Sequence, residues 1–145
     1  MKNTNIFVLV LAVCITGTFL FAGCGKKAEE AAGDIKIDYG KSSIYSQEDM
    51  DDAIAVINKE FASWEGCEMH SLTYGTDDCM AQENLDWMND LGEGETYTEC
   101  IEFLSNFHSP KEAEGAWEPD KEYEDYQWWL ARTDGGEWNL MTWGY

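Results

Sequence analysis

The chain has 145 residues and a formal net charge of −20, with 29 acidic against 9 basic side chains. A surface this acidic repels phosphate backbones and anionic lipid headgroups, which argues against nucleic acid as a partner and against direct headgroup binding. Seven Trp, seven Tyr and six Phe exclude a disordered acidic tail, because few disordered chains carry so many aromatic residues.

The N-terminal segment has the pattern of a secretion signal. A short polar start containing Lys2 precedes an apolar run over residues 6–21, which is short for a membrane span. Ala22 and Gly23 lead directly to Cys24, whose thiol would carry a thioether-linked diacylglycerol. The sequence therefore predicts a signal peptide over residues 1–23, an acylated tether over residues 24–43 and extracytoplasmic, lipid-anchored attachment to the cell membrane. An ordinary signal peptide and an uncleaved anchor are the alternatives.

Three cysteines remain in the predicted domain. Export permits disulfides, and a Cys67–Cys79 bridge would close a short loop. The alternative is that Cys67, Cys79 and Cys100 are all small buried thiols. No paired-Cys motif or Cys/His cluster indicates a metal site, so no metal or cofactor is expected.

Residues 44–145 are predicted to form one globular domain, and a short edge strand is expected just before it, at residues 34–39. The best-specified element is an amphipathic helix over residues 47–64. Its apolar stripe is Met50, Ala53, Ile54, Ile57, Phe61 and Trp64. Ser46 and Asp49 predict a capping box at its start, and Gly66 is expected to end it.

Further elements follow along the chain. The pattern predicts a strand over residues 67–74, a shorter helix over residues 80–91 and a strand over residues 97–107. A long polar connection over residues 109–125 is more typical of a functional or mobile loop than of a simple turn. Trp117 lies in this connection, where it would either fold back over the core or stand exposed as a binding residue.

The chain ends in a predicted β-hairpin of residues 126–132 and 137–145, joined at Asp134-Gly135. The turn predicts four facing pairs on one side: Arg132 with Glu137, Leu130 with Asn139, Trp128 with Met141, and Tyr126 with Trp143. Both faces are apolar, whereas an antiparallel sheet normally has one solvated face. If the long helix covers the face of Trp129 and Leu140, the other face is a candidate binding surface. Its residues are Tyr126, Trp128, Leu130, Met141 and Trp143, with Trp117 at the rim. The alternative is that the N-terminal segment or the shorter helix covers this face completely.

The predicted fold is α+β, with one long amphipathic helix packed on a curved antiparallel sheet that ends in an aromatic hairpin. This order of elements resembles the cystatin-like/NTF2-like class. The segment WWLARTDGGEW at residues 128–138, the final Trp143-Gly144-Tyr145 and the Cys24 segment together resemble uncharacterised small lipoproteins of Gram-positive gut bacteria. The resemblance implies a sheet that wraps one helix. It implies no particular activity, because such folds host enzymes, binding modules and inert scaffolds.

These observations favour a non-enzymatic cell-envelope lipoprotein that binds a small ligand or a protein partner through its aromatic sheet face. One alternative is an interaction subunit of an envelope assembly, which would present a flat apolar face. The other is an NTF2-like hydrolase or isomerase, which needs His70 or His108 in a concave pocket with a carboxylate in reach. No nucleophile elbow, phosphate loop or HExxH motif is present, so no catalytic residue is assigned.

Overall fold

The computed structural model describes residues 35–112 and 117–145, so the predicted signal peptide and Cys24 lie outside the described residues. The described part is an α+β fold with a five-stranded mixed sheet and two α-helices. The elements are β1 (Lys36–Asp38), α1 (Gln47–Phe61), β2 (Glu68–Tyr74), a 3-10 helix (Asp77–Met80), α2 (Gln82–Leu91), β3 (Glu99–His108), β4 (Glu122–Arg132) and β5 (Asn139–Gly144). Neither described helix is long and apolar enough to cross a membrane.

The strands lie in the sheet in their chain order, β1-β2-β3-β4-β5. β2 to β5 form an antiparallel meander, whereas β1 pairs with β2 in parallel. The predicted all-antiparallel sheet is therefore wrong at this one edge. The cause is that α1 is the crossover between β1 and β2, and a crossover helix returns the chain in the same direction. The sheet also begins at Lys36, inside the segment that the sequence predicts to be tether.

α1 begins as predicted. The Ser46 side chain accepts a hydrogen bond from the Asp49 backbone, and the Asp49 carboxylate accepts one from the Ser46 backbone, which completes the capping box. The helix ends at Phe61, three residues earlier than predicted, and Gly66 follows with a φ of 74°. Trp64 has left the helix, and its ring stacks on Trp128 at a centroid distance of 4.9 Å.

The main core lies between α1 and one face of the sheet. α1 contributes the buried residues Met50, Ala53, Ile54, Ile57 and Phe61. Alternate positions of the strands face it, and the fully buried ones include Leu72, Ile101, Phe103, Phe107, Trp128 and Leu130. α2 lies against the opposite face, where its Trp87 ring meets Trp129 at 5.4 Å. The two helices therefore occupy opposite sides of the sheet.

The final hairpin differs from its predicted form. Six residues, from Thr133 to Trp138, separate β4 from β5, and the Gly136 backbone donates to the Thr133 carbonyl within them. Leu130 pairs with Leu140 and Trp128 with Trp143, with a register shift between them. The predicted pairs, including Leu130 with Asn139 and Tyr126 with Trp143, are therefore wrong. The register changes because Trp138 packs onto α1 and the strand resumes only at Asn139.

Candidate functional site

The structure buries most of the predicted binding face. Trp128 and Leu130 are fully buried and Tyr126 is 7 % exposed. The ring of Phe61 in α1 lies 6.4 Å from that of Trp128, so the long helix itself covers this face. The condition for the binding face, that α1 covers the face of Trp129 and Leu140, is therefore not met. The alternative named the N-terminal segment or the shorter helix as the cover, whereas α1 buries these three residues.

An aromatic surface remains at the end of α1. Trp143 is 41 % exposed and Tyr145 is 80 % exposed, while Trp64, Trp117 and Met141 are half-buried. The Trp64 ring centroid lies 4.8 Å from that of Trp117 and 6.3 Å from that of Trp143. Trp117 thus folds back onto the core, which is one of its two expected positions. We refer to Trp64, Trp117, Trp143 and Tyr145 as the aromatic patch.

A separate open groove lies where α1 meets the β4–β5 connection and the start of β5. β5 is the last strand, and α1 contacts it from one side. The groove between α1 and the β4–β5 connection, which includes the first two residues of β5, has a volume of about 730 Å³. Its walls are Asp52, Val56 and Lys59 of α1 and, on the other side, Gly135, Gly136, Glu137, Trp138, Asn139 and Leu140. We refer to this space as the α1–β5 groove.

The lining of the α1–β5 groove combines apolar and acidic groups. Val56 and Leu140 are half-buried members of the core and leave part of their apolar surface facing the groove. Asp52 and Glu137 outnumber the one cation of the lining, Lys59. A groove with apolar walls and an acidic rim suits an extended chain that carries both apolar and cationic side chains.

One end of the groove is held rigidly by Arg132. Its Nη2 donates to Asp49 Oδ1 at 2.8 Å, and its Nε donates to Glu99. The guanidinium lies 4.2 Å from the centroid of the Trp138 ring, whose Nε1 donates to the Asp49 carbonyl at 3.0 Å. Hydrogen bonds from Ser46, and then Arg132, lower the pKa of Asp49. This network ties α1 to the hairpin and fixes the wall of the groove.

The two histidines lie together on the sheet face away from α1. His70 Nδ1 is 2.9 Å from Glu122 Oε1, and His108 Nδ1 is 3.1 Å from Glu122 Oε2. His108 Nε2 is 3.1 Å from Asp120 Oδ1. The hydrogen bond to Asp120, followed by that to Glu122, raises the pKa of His108. Sequence alone did not pair them, because His70 and His108 are on neighbouring strands and only the sheet register brings them together.

The histidine cluster meets one requirement of the enzyme alternative and fails another. Carboxylates are in reach, but the His70 side chain is 48 % exposed and His108 is 35 % exposed. They therefore stand on an open surface rather than inside a concave pocket. Within residues 35–112 and 117–145, no group of three or more His, Cys, Asp or Glu side chains is arranged to hold a metal ion.

The three cysteines within the described residues are free thiols. Cys79 and Cys100 are buried and Cys67 is half-buried, and burial raises the pKa of Cys100 to about 12. The predicted Cys67–Cys79 bridge is not formed. The reason is that β2 separates the two residues: Cys67 precedes its first residue and Cys79 follows its last, and a strand of 7 residues spans roughly 20 Å.

No protein-family model, no curated protein and no solved structure matches this chain.

Proposed function

We propose that this chain is a lipid-anchored, extracytoplasmic binding protein of the cell envelope, without catalytic activity, and that it captures a protein partner. The observation that carries the proposal is the aromatic patch beside an open edge strand. Trp and Tyr are the residues that most often supply binding energy in protein interfaces. The side chains of Trp143 and Tyr145 are exposed on one side, while their rings contact the core residues Trp128 at 6.2 Å and Tyr126 at 5.2 Å on the other.

The anchor part of the proposal rests on the N-terminal sequence. Cys24 is the lipidation site, residues 1–23 are its signal peptide, and the following residues hold the domain at the membrane surface. Cys24→Ser is expected to move the protein out of the detergent phase after phase separation of solubilised cells. Equal partitioning of Cys24→Ser and the unaltered chain would show that the lipid anchor is not what retains it.

The fold supports assignment to the cystatin-like/NTF2-like class, because one long helix packs on a meander of β2 to β5. The parallel pairing of β1 departs from the all-antiparallel sheet expected for that class. This fold assignment does not select a function. The open shape of the α1–β5 groove favours a protein partner over a small ligand, since small-ligand sites are concave and enclose most of the ligand.

The experiment is capture of partners from detergent-solubilised envelope with the full chain. Trp143→Ala is expected to reduce capture by at least about tenfold, the loss typical of an interface residue worth more than 1.4 kcal/mol. Trp87→Ala is the matched control, because Trp87 is 40 % exposed, as against 41 % for Trp143, but lies on the other side of the sheet. Equal loss of capture in both variants, or in neither, would contradict the proposal.

A further inference from the structure

The two edges of the sheet are built differently. β1 has only three residues, and its outer positions Lys36 and Asp38 are exposed charges. Short length and charged side chains are the usual means of protecting an edge from pairing with another chain. β5 has six residues, with the sequence Asn-Leu-Met-Thr-Trp-Gly, and carries neither a charge nor a proline. Among the residues that the structure describes, the β5 edge is therefore unprotected, and the groove adjoins its first two residues.

The α1–β5 groove has the geometry that strand addition requires. A segment paired with β5 would lie between that strand and α1, with alternate side chains directed toward Val56 and Leu140. β5 offers about 20 Å of backbone, which is enough for a short peptide segment. Trp143 of the aromatic patch belongs to the same strand, so a chain paired along all of β5 would reach both the groove and the patch.

Charge selects the occupant. A second copy of this chain would also carry a formal charge of −20, and the repulsion between two such molecules opposes pairing of β5 with β5. Asp52 and Glu137 on the groove walls add a local preference for cations over anions. A basic segment is attracted by both the local and the overall charge, and its association is accelerated by the same field.

We propose that β5 accepts an extended, basic polypeptide segment of a partner protein as a sixth strand, seated in the α1–β5 groove. This proposal rests on the proposed binding function. It adds the mode of binding, which is strand addition, and the chemistry of the ligand, which is a basic polypeptide segment. Backbone hydrogen bonds to β5 give affinity, the apolar walls select alternate apolar side chains, and the acidic groups select lysine or arginine between them.

The test uses the full chain in a non-ionic detergent and short capped peptides of alternating lysine and valine. Binding is measured by calorimetry, and hydrogen exchange of the β5 amides reports strand pairing. The peptide is expected to bind, to slow exchange within Asn139–Gly144 and to lose affinity at least about tenfold when the amides facing β5 are N-methylated. N-methylation of the other alternate set is expected to leave affinity unchanged, and a glutamate–valine peptide is expected not to bind.

Groove variants give a second readout. Asp52→Asn combined with Glu137→Gln is expected to weaken the lysine–valine peptide several-fold and to reduce the dependence of its affinity on salt. The control pair Glu83→Gln and Asp90→Asn removes two exposed carboxylates of α2. It is expected to change neither the affinity for the lysine–valine peptide nor the salt dependence of that affinity. Equal weakening by both pairs would assign the effect to net charge and overturn the groove as the binding site.

Other outcomes separate this inference from the proposed function. If neither set of N-methylated amides weakens binding, or if the lysine–valine peptide does not bind, strand addition is overturned. The binding function still stands in that case if Trp143→Ala, and not Trp87→Ala, abolishes partner capture. A dimer at neutral pH that pairs through β5 would replace the basic segment with a second copy and overturn the choice of occupant.

Discussion

Replacing Arg132 by methionine tests the network that joins α1 to the hairpin. The Arg132 side chain is 10 % exposed and is bonded to Asp49 and Glu99, which are 29 % and 24 % exposed. Removing one partner of a fully buried ion pair costs about 3–5 kcal/mol, because the remaining charge is left buried without compensation. Water reaches both carboxylates here, so we expect the lower end, about 3 kcal/mol of unfolding free energy, including the lost contact with Trp138.

The assay is urea denaturation at neutral pH, followed by tryptophan fluorescence. Lys41→Met is the control, because it removes the same charge from an exposed position, and it should change the free energy by less than about 0.5 kcal/mol. Arg132→Lys should recover only part of the stability, since an ammonium cannot reproduce two directed guanidinium bonds. A cost below about 1 kcal/mol for Arg132→Met, or full rescue by lysine, would refute the role given to the network.

Three further predictions follow from the core and the surface. Phe61→Ala should cost roughly 3–5 kcal/mol in urea denaturation, and a value below about 1 kcal/mol would contradict its place in the core. Burial raises the pKa of Glu102, so its charged form destabilises the fold above the ordinary glutamate pKa of about 4.3. Glu102→Gln should therefore raise the unfolding temperature at neutral pH and lose this advantage in acid, where both forms are neutral; an equal gain at both pH values would contradict this cause. Near pH 4.1, where the net charge vanishes, sedimentation velocity should detect self-association. Met141→Lys should reduce this self-association, whereas Asn58→Lys, which adds the same charge to α1, should not.

Local signals in the sequence predict α1 well. Its start depends on Ser46, Asp49 and the spacing of apolar residues, all within a few turns of the chain, and the structure confirms the capping box and the buried stripe. Its end was less predictable. Trp64 has helical spacing, but it lies beyond the end of the helix, and its ring stacks on Trp128, a residue 64 positions later in the chain. Such a contact leaves no local signal.

The choice of face by α1 could not be predicted from the hairpin alone. Trp128 and Trp129 are adjacent, so the two faces of β4 look equally apolar in sequence. The decision depends on β3, which places Phe103 beside Trp128, adds Phe107 to the same face and places Glu102 beside Trp129. The helix covers the face with the larger aromatic content, because burying that face removes more apolar area from water.

The hairpin register shows a similar limit. Asp134-Gly135 has the residues of a two-residue turn, and that local preference predicts one register for the whole hairpin. Trp138 overrides it, since its indole contacts the Arg132 guanidinium and donates to α1. The shift changes which residue faces Trp128, from Met141 to Trp143. The position of Trp143 opposite Trp128 therefore depends on the longer connection and also on the register shift between Trp129 and Leu130.

The acidity of the chain and its open edge are best understood together. An unprotected strand edge normally leads to self-association, and natural proteins guard against it with charges placed on the strand itself. β5 carries no charge, whereas the charged residues Lys36 and Asp38 belong to β1 and protect the opposite edge of the sheet. A net charge of −20 keeps copies of the protein apart at longer range while leaving the backbone of β5 free. In the proposed mode of binding, the same charge that rejects an identical acidic chain attracts a basic one, so a single property of the sequence would supply both the protection of the edge and the selection of its partner.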